Sequence, residues 1–406
     1  MKILCAYKTE LDLNNVQKTA CARHAGAARW AYNWGLARKV AAYQKGEKVP
    51  TAIDLHRELN GLKKGELAWM YEVSKCAPQE ALRNLDQAYA HFFRRVKEQK
   101  AGRKIQAGFP KFKSKKNGLG SFRMTGAIHI FESAIQLPRL GVLRLKEHGY
   151  LPVQGVHILS ATVSERAGRW CVSVQVEMNL PEPVEAEKPA AGVDLGIFAM
   201  ATVSDGTRIE NPRALKRSLG KIKRLQRVIS RRQKGSANRK KAVRQLAKAH
   251  LHVANIRKNA LHQATSLLAK TKSAVVLEDL NVSGMMKNHH LAQAISDVGF
   301  HEFRRQMVYK GRWYSCKIFL APPFYPSTKR CSQCGHIKTE MGLSERVYTC
   351  ALCGLRMDRD LNAAINLEQL ITTGSSPESN ACGESVRPGF QAVLVEAGTE
   401  HQSASV

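Results

Sequence analysis

The sequence predicts an α+β protein of more than one domain, and three observations predict it. Short runs in which apolar and polar residues alternate crowd together between residues 128 and 178, the period of half-buried strands. Beyond residue 190, short apolar runs that carry a single carboxylate are separated by long stretches with helical spacing. Near the C-terminal end stand two Cys-x-x-Cys pairs, Cys331/Cys334 and Cys350/Cys353. The chain has 406 residues, long enough for two to four domains.

Charge restricts the partners. Lys and Arg number 64 against 33 Asp and Glu, a formal net charge of +31, which argues for a polyanionic partner. No run approaches eighteen uninterrupted apolar residues, so no membrane span is expected. The opening Met1–Glu10 is too short and too polar for a signal peptide. Of ten cysteines, four lie in the paired motifs; Cys5, Cys21, Cys76, Cys171, Cys316 and Cys382 are scattered, the usage of a reducing cytoplasm.

Taken in order, Met1 to about Leu11 reads as a strand. Asn14–Lys39 turns helical, with Val16, Ala20, His24, Ala27, Ala31 and Trp34 at helix spacing. Its cluster Trp30-Ala31-Tyr32-Asn33-Trp34 can supply a bundle core, stacking surfaces for bases, or both. Helices are expected at Thr51–Leu62 and Ala77–Lys97, the latter with Leu82, Leu85, Tyr89, Phe92 and Phe93 on one face and Arg94, Arg95 and Lys97 at its end. From Gly102 to Arg123 the chain carries seven basic residues, no acid and three phenylalanines, broken by Gly and Pro. That composition suits a loop tracking a phosphate backbone, with Lys111, Lys113, Lys115 and Lys116 as candidate contacts. Strands follow at Ile128–Phe131, Ala134–Leu137, Gly141–Leu145, His157–Glu165 and Trp170–Met178. Several short strands with turns between them predict a small antiparallel barrel, residues 1–12 and 103–180, with a helical insertion at 13–102. Leu180–Pro189, rich in Pro and Glu, reads as a linker closing an N-terminal region of residues 1–190.

A second region opens with a hairpin, Ala191–Ile197 and Phe198–Val203, with Ser204-Asp205-Gly206 as the next turn. From Asn211 to Leu277 there are nineteen Lys and Arg and no Asp or Glu. Leu215, Leu219, Ile222, Leu225 and Ile229 give the first half of this stretch an apolar helical seam. A break at Gly235-Ser236-Ala237-Asn238 precedes a second helix, Arg239–Ala269. Two basic helices without compensating acids make a wall for nucleic acid, with Arg224, Arg227, Arg231 and Arg232 as candidate contacts. Ser273–Leu277 is a strand, Asn281–His290 a loop, His301–Trp313 a helix, Lys317–Ala321 a strand, and a helix opens at Asp360. The composition of the tail, 372–406, predicts disorder.

Two sites emerge. Fifteen residues separate Cys334 from Cys350, and two thiolate pairs at that spacing can close a tetrahedral zinc site. Gly335 and Gly354 each follow a pair, where a knuckle turn needs positive φ. Asp194 sits in Ala-Gly-Val-Asp-Leu-Gly-Ile, Glu278 in Val-Val-Leu-Glu-Asp-Leu-Asn, and Asp358-Arg-Asp360 opens the last helix. Lone acids at the ends of apolar runs are costly to bury unless paired or metal-bound. Three of them on separate elements suit a shared site for Mg²⁺, such as two-metal phosphodiester hydrolysis requires. Asp279, next to Glu278 on an extended segment, should face the other way.

The order hairpin, crossover helices, strand with an acid, helix, strand and closing helix with an acid is that of an RNase H-like fold, with a zinc ribbon at 331–353 inserted before the closing helix of 354–371. The segments Gly192-Val-Asp-Leu-Gly-Ile, Val276-Leu-Glu-Asp-Leu-Asn, Phe324-Tyr-Pro-Ser-Thr-Lys-Arg-Cys-Ser-Gln-Cys-Gly and Asp358-Arg-Asp-Leu-Asn-Ala-Ala resemble the TnpB (OrfB) family of bacterial insertion sequences and the miniature type V CRISPR nucleases. Tyr32-Asn33-Trp34, Phe109-Pro-Lys-Phe-Lys-Ser, Ile256-Arg-Lys and Ala381-Cys-Gly fit as well. The resemblance implies an RNA-guided DNA endonuclease in which an N-terminal region grips a transposon-derived RNA and a RuvC-like domain, beginning within residues 191–330, cuts double-stranded DNA. It also implies Asp194, Glu278 and Asp360, rather than Asp358, as the catalytic acids. A guided repressor that binds without cutting would lack one of these acids. A transposase could be read from His250-Leu251-His252, but that motif lies in a lysine-rich helical stretch.

Overall fold

The computed structural model describes residues 2–103, 105–179, 187–342 and 344–372. Most of the expected linker at 180–189 and nearly all of the tail expected to be disordered lie outside the described residues. The described chain forms two compact units, 2–179 and 187–372. Among the described residues no helix is long and apolar enough to cross a membrane.

The first unit begins with strand β1 (Lys2–Asp12) and three helices, α1 (Asn15–Gln44), α2 (Ala52–Leu62) and α3 (Cys76–Lys100). Two of these starts are written in the sequence as reciprocal caps. The Asn14 side chain accepts from Gln17 N while the Gln17 side chain accepts from Asn14 N, and Thr51 with Asp54 repeats the arrangement. Leu36, Leu55, Leu59, Leu82 and Leu85 are buried where the helices meet. The apolar face of α3 loses its cover toward the C-terminal end, where Phe93 is exposed. Of the aromatic cluster on α1, Tyr32 is buried, whereas Trp30 and Trp34 stack on one another at 5.9 Å and stay half-exposed.

Six further strands follow: β2 (Ser121–Met124), β3 (His129–Ile130), β4 (Ala134–Leu137), β5 (Gly141–Leu145), β6 (Val156–Arg166) and β7 (Arg169–Asn179). With β1 they form an antiparallel sheet in the order β2-β6-β7-β1-β5-β4-β3. Val172, Val174 and Val176 are fully buried, as their alternation requires. The expected barrel is not what the hydrogen bonds form. The sheet stays open, because its end strands have four and two residues and do not pair with each other. Strand β2 instead packs on α1 and α3, with Phe122 beside His24 at 5.2 Å.

The second unit is a sheet layered between helices. Strands β8 (Ala191–Asp194), β9 (Ala199–Val203) and β10 (Arg208–Glu210) pair antiparallel. Helices α4 (Ala214–Arg231) and α5 (Ala237–Thr271) form the basic pair, closing on Ile222, Leu225, Ala249 and Val253. Then come β11 (Ala274–Leu277), α6 (Val282–Met285), α7 (Ala292–Val298), α8 (Phe300–Tyr314) and β12 (Lys317–Leu320). Strands β13 (Val347–Thr349) and β14 (Arg356–Asp358) make a small ribbon before α9 (Arg359–Thr372). The main sheet runs β10-β9-β8-β11-β12, with β8, β11 and β12 parallel. Strand β10 and helices α6 and α7 carry no strong period, being short, and were not foreseen from the sequence.

Alternation divides the two faces of this sheet. Val275 and Leu277 join Leu261, Leu268, Phe303 and Met307 on the side of α5 and α8, whereas Val276 joins Leu367 and Leu370 of α9. His250 and His252 lie on α5, two residues apart on a helix, and so point to different sides rather than forming one ligand pair.

Candidate active site and cysteine cluster

The carboxylates are brought together by register. β8 and β11 are parallel, with Leu277 beside Val193, so the next residues along, Asp194 and Glu278, leave the two neighbouring strand ends side by side. By the same alternation Glu278 faces the side of Val276 and α9. Asp279 turns the opposite way, where its carboxylate meets Arg304 of α8 at 2.6 Å. Helix α9 lies directly on the backbone of β8. A Cβ on Gly192 would come within 1.9 Å of the Ala364 carbonyl oxygen and 2.4 Å of Glu368 N. Asp194 is two strand residues from Gly192, about 6.6 Å. Asp360 is four helix residues from Ala364, about 6 Å. The third acid is thereby held near enough for its charge to act on the first.

The electrostatics agree with this placement. Asp194 and Asp360 are buried and Glu278 is half-buried. Burial, then the charges of Glu278 and Asp360, push the Asp194 carboxyl well above the usual carboxylate range. Burial likewise raises Glu278, opposed by a hydrogen bond that its Oε1 accepts from Ser327 Oγ. The charges of Glu278 and Asp360 disfavour the ionised form of Asp194, and a hard cation would relieve that repulsion. Asp358 is used differently. Its Oδ1 accepts from the backbone N–H of Asp360 at 3.0 Å and of Leu361 at 3.1 Å, capping α9. Arg208 of β10 reaches toward both, 3.7 Å from Asp358 and 4.0 Å from Asp360.

The cysteines form a second centre. Among the described residues, Cys331, Cys334, Cys350 and Cys353 are the set whose ligand atoms all lie within 4.8 Å of one another. The Sγ atoms of Cys331 and Cys353 are 3.6 Å apart, and those of Cys334 and Cys350 are 3.5 Å apart. A tetrahedron with metal–sulfur bonds of about 2.3 Å has edges of about 3.8 Å, so the four thiols fit a tetrahedral metal. The two knuckles repeat each other. Cys331 N donates to His336 O and Gly335 N to Cys331 O, as Cys350 N does to Leu355 O and Gly354 N to Cys350 O. Gly335 and Gly354 sit at φ +76° and +72°, where a side chain would be strained. Backbone amides, first that of Cys353, draw the Cys350 thiol down to about 6. No disulfide forms among the described cysteines.

The proposed phosphate contacts are dispersed. Lys111, Lys115 and Lys116 are exposed on the irregular segment before β2. Lys113 is held: its backbone exchanges hydrogen bonds with the Asn33 side chain at 2.8 and 2.9 Å, and its ammonium lies 4.0 Å from the Tyr32 ring centre. Although the residue as a whole is exposed, that covered ammonium has a pKa lowered by burial. Arg224, Arg227 and Arg231 project from α4, whereas Arg232 donates to Asn238 O across the turn into α5.

Sequence reasoning passed over four residues around the acids: Arg208, Ser327, Asn362 and Asn366. Asn362 and Asn366 are fully buried and polar on α9. Their signal was the four-residue spacing after an acid, which by itself reads as an ordinary helix face.

Residues 171–289 match the OrfB, IS605-type family described as "Probable transposase", and 300–367 match the "Cas12f1-like, TNB domain" family. Residues 1–48 match an OrfB "Helix-turn-helix domain", a span that contains β1 and α1. The chain is 33% identical to a "Putative RNA-guided DNA endonuclease" of Streptomyces pristinaespiralis, across 94% of this chain and 92% of that protein. It is also 33% identical to the Escherichia coli protein of that name designated InsQ, across 96% of each. A solved structure, "Structure of the mini-RNA-guided endonuclease CRISPR-Cas_phi3", is 9% identical with a TM-score of 0.43 and 93% of each chain covered. With this identity to curated members over nearly its whole length, the chain belongs to the TnpB (OrfB) family of insertion-sequence proteins.

Proposed function

We propose that this protein is an RNA-guided endonuclease that cleaves double-stranded DNA by metal-dependent phosphodiester hydrolysis, with Asp194, Glu278 and Asp360 as its catalytic acids. The observation that carries the reading is the convergence of these three carboxylates at the ends of β8 and β11 and the start of α9. In this reading residues 191–371 are an RNase H-like, RuvC-type domain interrupted by a ribbon at 331–353, and residues 1–190 serve nucleic-acid binding. The four cysteines hold one structural zinc. The acids hold magnesium, which when bound supplies Lewis acidity at the scissile phosphate and an activated water. The chain's own part is to fix three carboxylates on rigid elements, two strand ends and the first turn of a helix. The guide is an RNA from the transposon end, the target is double-stranded DNA, and the work is done in the cytoplasm. Phosphate contacts come from Lys111, Lys115, Lys116, Arg224, Arg227 and Arg231, with Lys113 and Arg232 turned partly to structural use.

A guided repressor is the second reading. Retention of all three acids favours the nuclease. The test uses protein purified with the RNA of its own locus. Asp194→Ala should cut guided DNA at least about a hundredfold more slowly, the scale for losing a group that stabilises a transition state, while guided DNA binding persists. Cleavage at the wild-type rate by Asp194→Ala would overturn the assignment. A wild type that binds guided DNA and never cuts it would establish the repressor.

A further inference from the structure

Between the sheet and the cysteine cluster runs a segment, 325–332, whose backbone is tied to one face of α9 at Ser327, Arg330 and Ser332. Asn362 Nδ2 donates to Arg330 O at 2.7 Å, and Asn362 Oδ1 accepts from Ser332 N at 3.0 Å. Asn366 Nδ2 donates to Ser327 O at 2.8 Å and to Arg330 O at 2.6 Å. Gln369 Nε2 donates to Ser332 O at 2.7 Å, and Tyr325 Oη returns a bond to Asn366 O at 3.2 Å. Residues 362, 366 and 369 are one stripe of a helix. The segment they clamp has Ser327 at one end and the first metal-binding cysteine, Cys331, at the other.

Ser327 is buried, and its hydroxyl donates to Glu278 Oε1. Glu278 immediately follows the end of β11. Fixed by α9 through Asn366, the serine can hold that carboxylate in one orientation. The helix that carries Asp360 therefore also orients Glu278, through a strap anchored at the cysteine cluster.

We propose that Ser327 is a positioning residue for the acidic site, and that the strap 325–332 makes the geometry of Glu278 depend on metal at the four cysteines. This rests on the reading of Asp194, Glu278 and Asp360 as cation ligands. A carboxylate that must share a cation loses affinity when its orienting hydrogen bond is removed, by about 10- to 100-fold for an outer-shell partner. Removal of the cysteine-bound metal leaves the Cys331 end of the strap held by the α9 bonds at Arg330 and Ser332 without the metal's anchor, and acts on Glu278 by the same route.

The experiment uses the full chain with its co-purified RNA. Three variants are compared with wild type: Ser327→Ala, Ser327→Thr and Asp194→Ala. Mn²⁺ binding is followed by electron paramagnetic resonance, zinc content by elemental analysis, and guided cleavage against Mg²⁺ concentration. Ser327→Ala should weaken Mn²⁺ binding and raise the Mg²⁺ needed for half-maximal cleavage about tenfold or more, with zinc content unchanged. Ser327→Thr, which keeps the hydroxyl, should restore both. Stripping the cysteine-bound metal from wild type with a chelator should weaken Mn²⁺ binding in the same direction, and stripping it from Ser327→Ala should add little. Wild-type Mn²⁺ affinity and Mg²⁺ dependence in Ser327→Ala would overturn the proposal. So would equal defects in the alanine and threonine variants, or loss of zinc from Ser327→Ala. If Asp194→Ala itself binds Mn²⁺ and cuts as wild type does, the acidic-site reading has failed, and that outcome is separate from a failure of Ser327 alone.

Discussion

Asp358 and Asp360 stand two residues apart, yet they do different work because a helix starts between them. Asp358 points back to cap the free N–H groups of α9, while Asp360, one step inside, faces the partner acids. Burial acts on single residues elsewhere too. His262 on α5 has its pKa pulled down to about 4, first by burial and then by the nearby Lys310 charge. Its ordinary value is about 6.5. A base with a depressed folded pKa favours the native state above its unfolded value, and that contribution is lost as pH falls from about 6.5 toward 4, because the unfolded chain takes up a proton that the native chain refuses. At pH 5 this should cost about 1–2 kcal/mol relative to pH 7. Thermal melts at the two pH values should show His262→Gln losing less stability than wild type; an identical loss would remove His262 as a cause.

At the scale of elements, the helix–sheet contact at Gly192 governs the site. Gly192→Ala would place a methyl group against backbone atoms of α9, which cannot rotate aside as a side chain can. We predict a loss of about 3 kcal/mol or more, or a displaced α9 that separates Asp360 from Asp194. Denaturant unfolding and cleavage assays distinguish these outcomes, and a stable, fully active Gly192→Ala would refute the close approach. The ribbon is the second such element. Cys350→Ser removes one of four ligands and should leave the protein with well under one zinc per chain by elemental analysis. Local protection from hydrogen exchange should be lost around 331–353, because metal binding and folding are linked in so small a unit. A full zinc complement in that variant would contradict the assignment.

For the molecule as a whole, the surplus of charge decides the partner. Nineteen cations without an acid from Asn211 to Leu277 repel one another unless something anionic lies against them. Binding of nucleic acid should therefore release counterions. If six or more phosphates are neutralised, affinity should fall by roughly a thousandfold or more between 50 and 200 mM salt. A titration series at several salt concentrations measures the slope directly; a flat response would rule out binding through phosphates.

The cysteine spacing, most of the strand and helix order and the basic stretches were legible in the sequence, whereas β10, α6 and α7 were too short to carry a period. Each legible feature is a local pattern: ligand spacing along the chain, a side-chain period, a run of one charge. Even the opposite facing of Glu278 and Asp279 follows from alternation alone. What the sequence could not state was closure and contact. Whether the strands of residues 2–179 form a barrel depends on edges far apart in the chain, and the short β2 and β3 leave that sheet open. The division of labour at Asp358-Arg-Asp360 depends on where α9 starts, and the clamp of Asn362 and Asn366 on 325–332 joins residues thirty or more apart. Hydrogen bonds of that kind carry no period and no spacing rule. They exist only once the helix lies across the sheet, so the tertiary structure alone could reveal Ser327 beside Glu278.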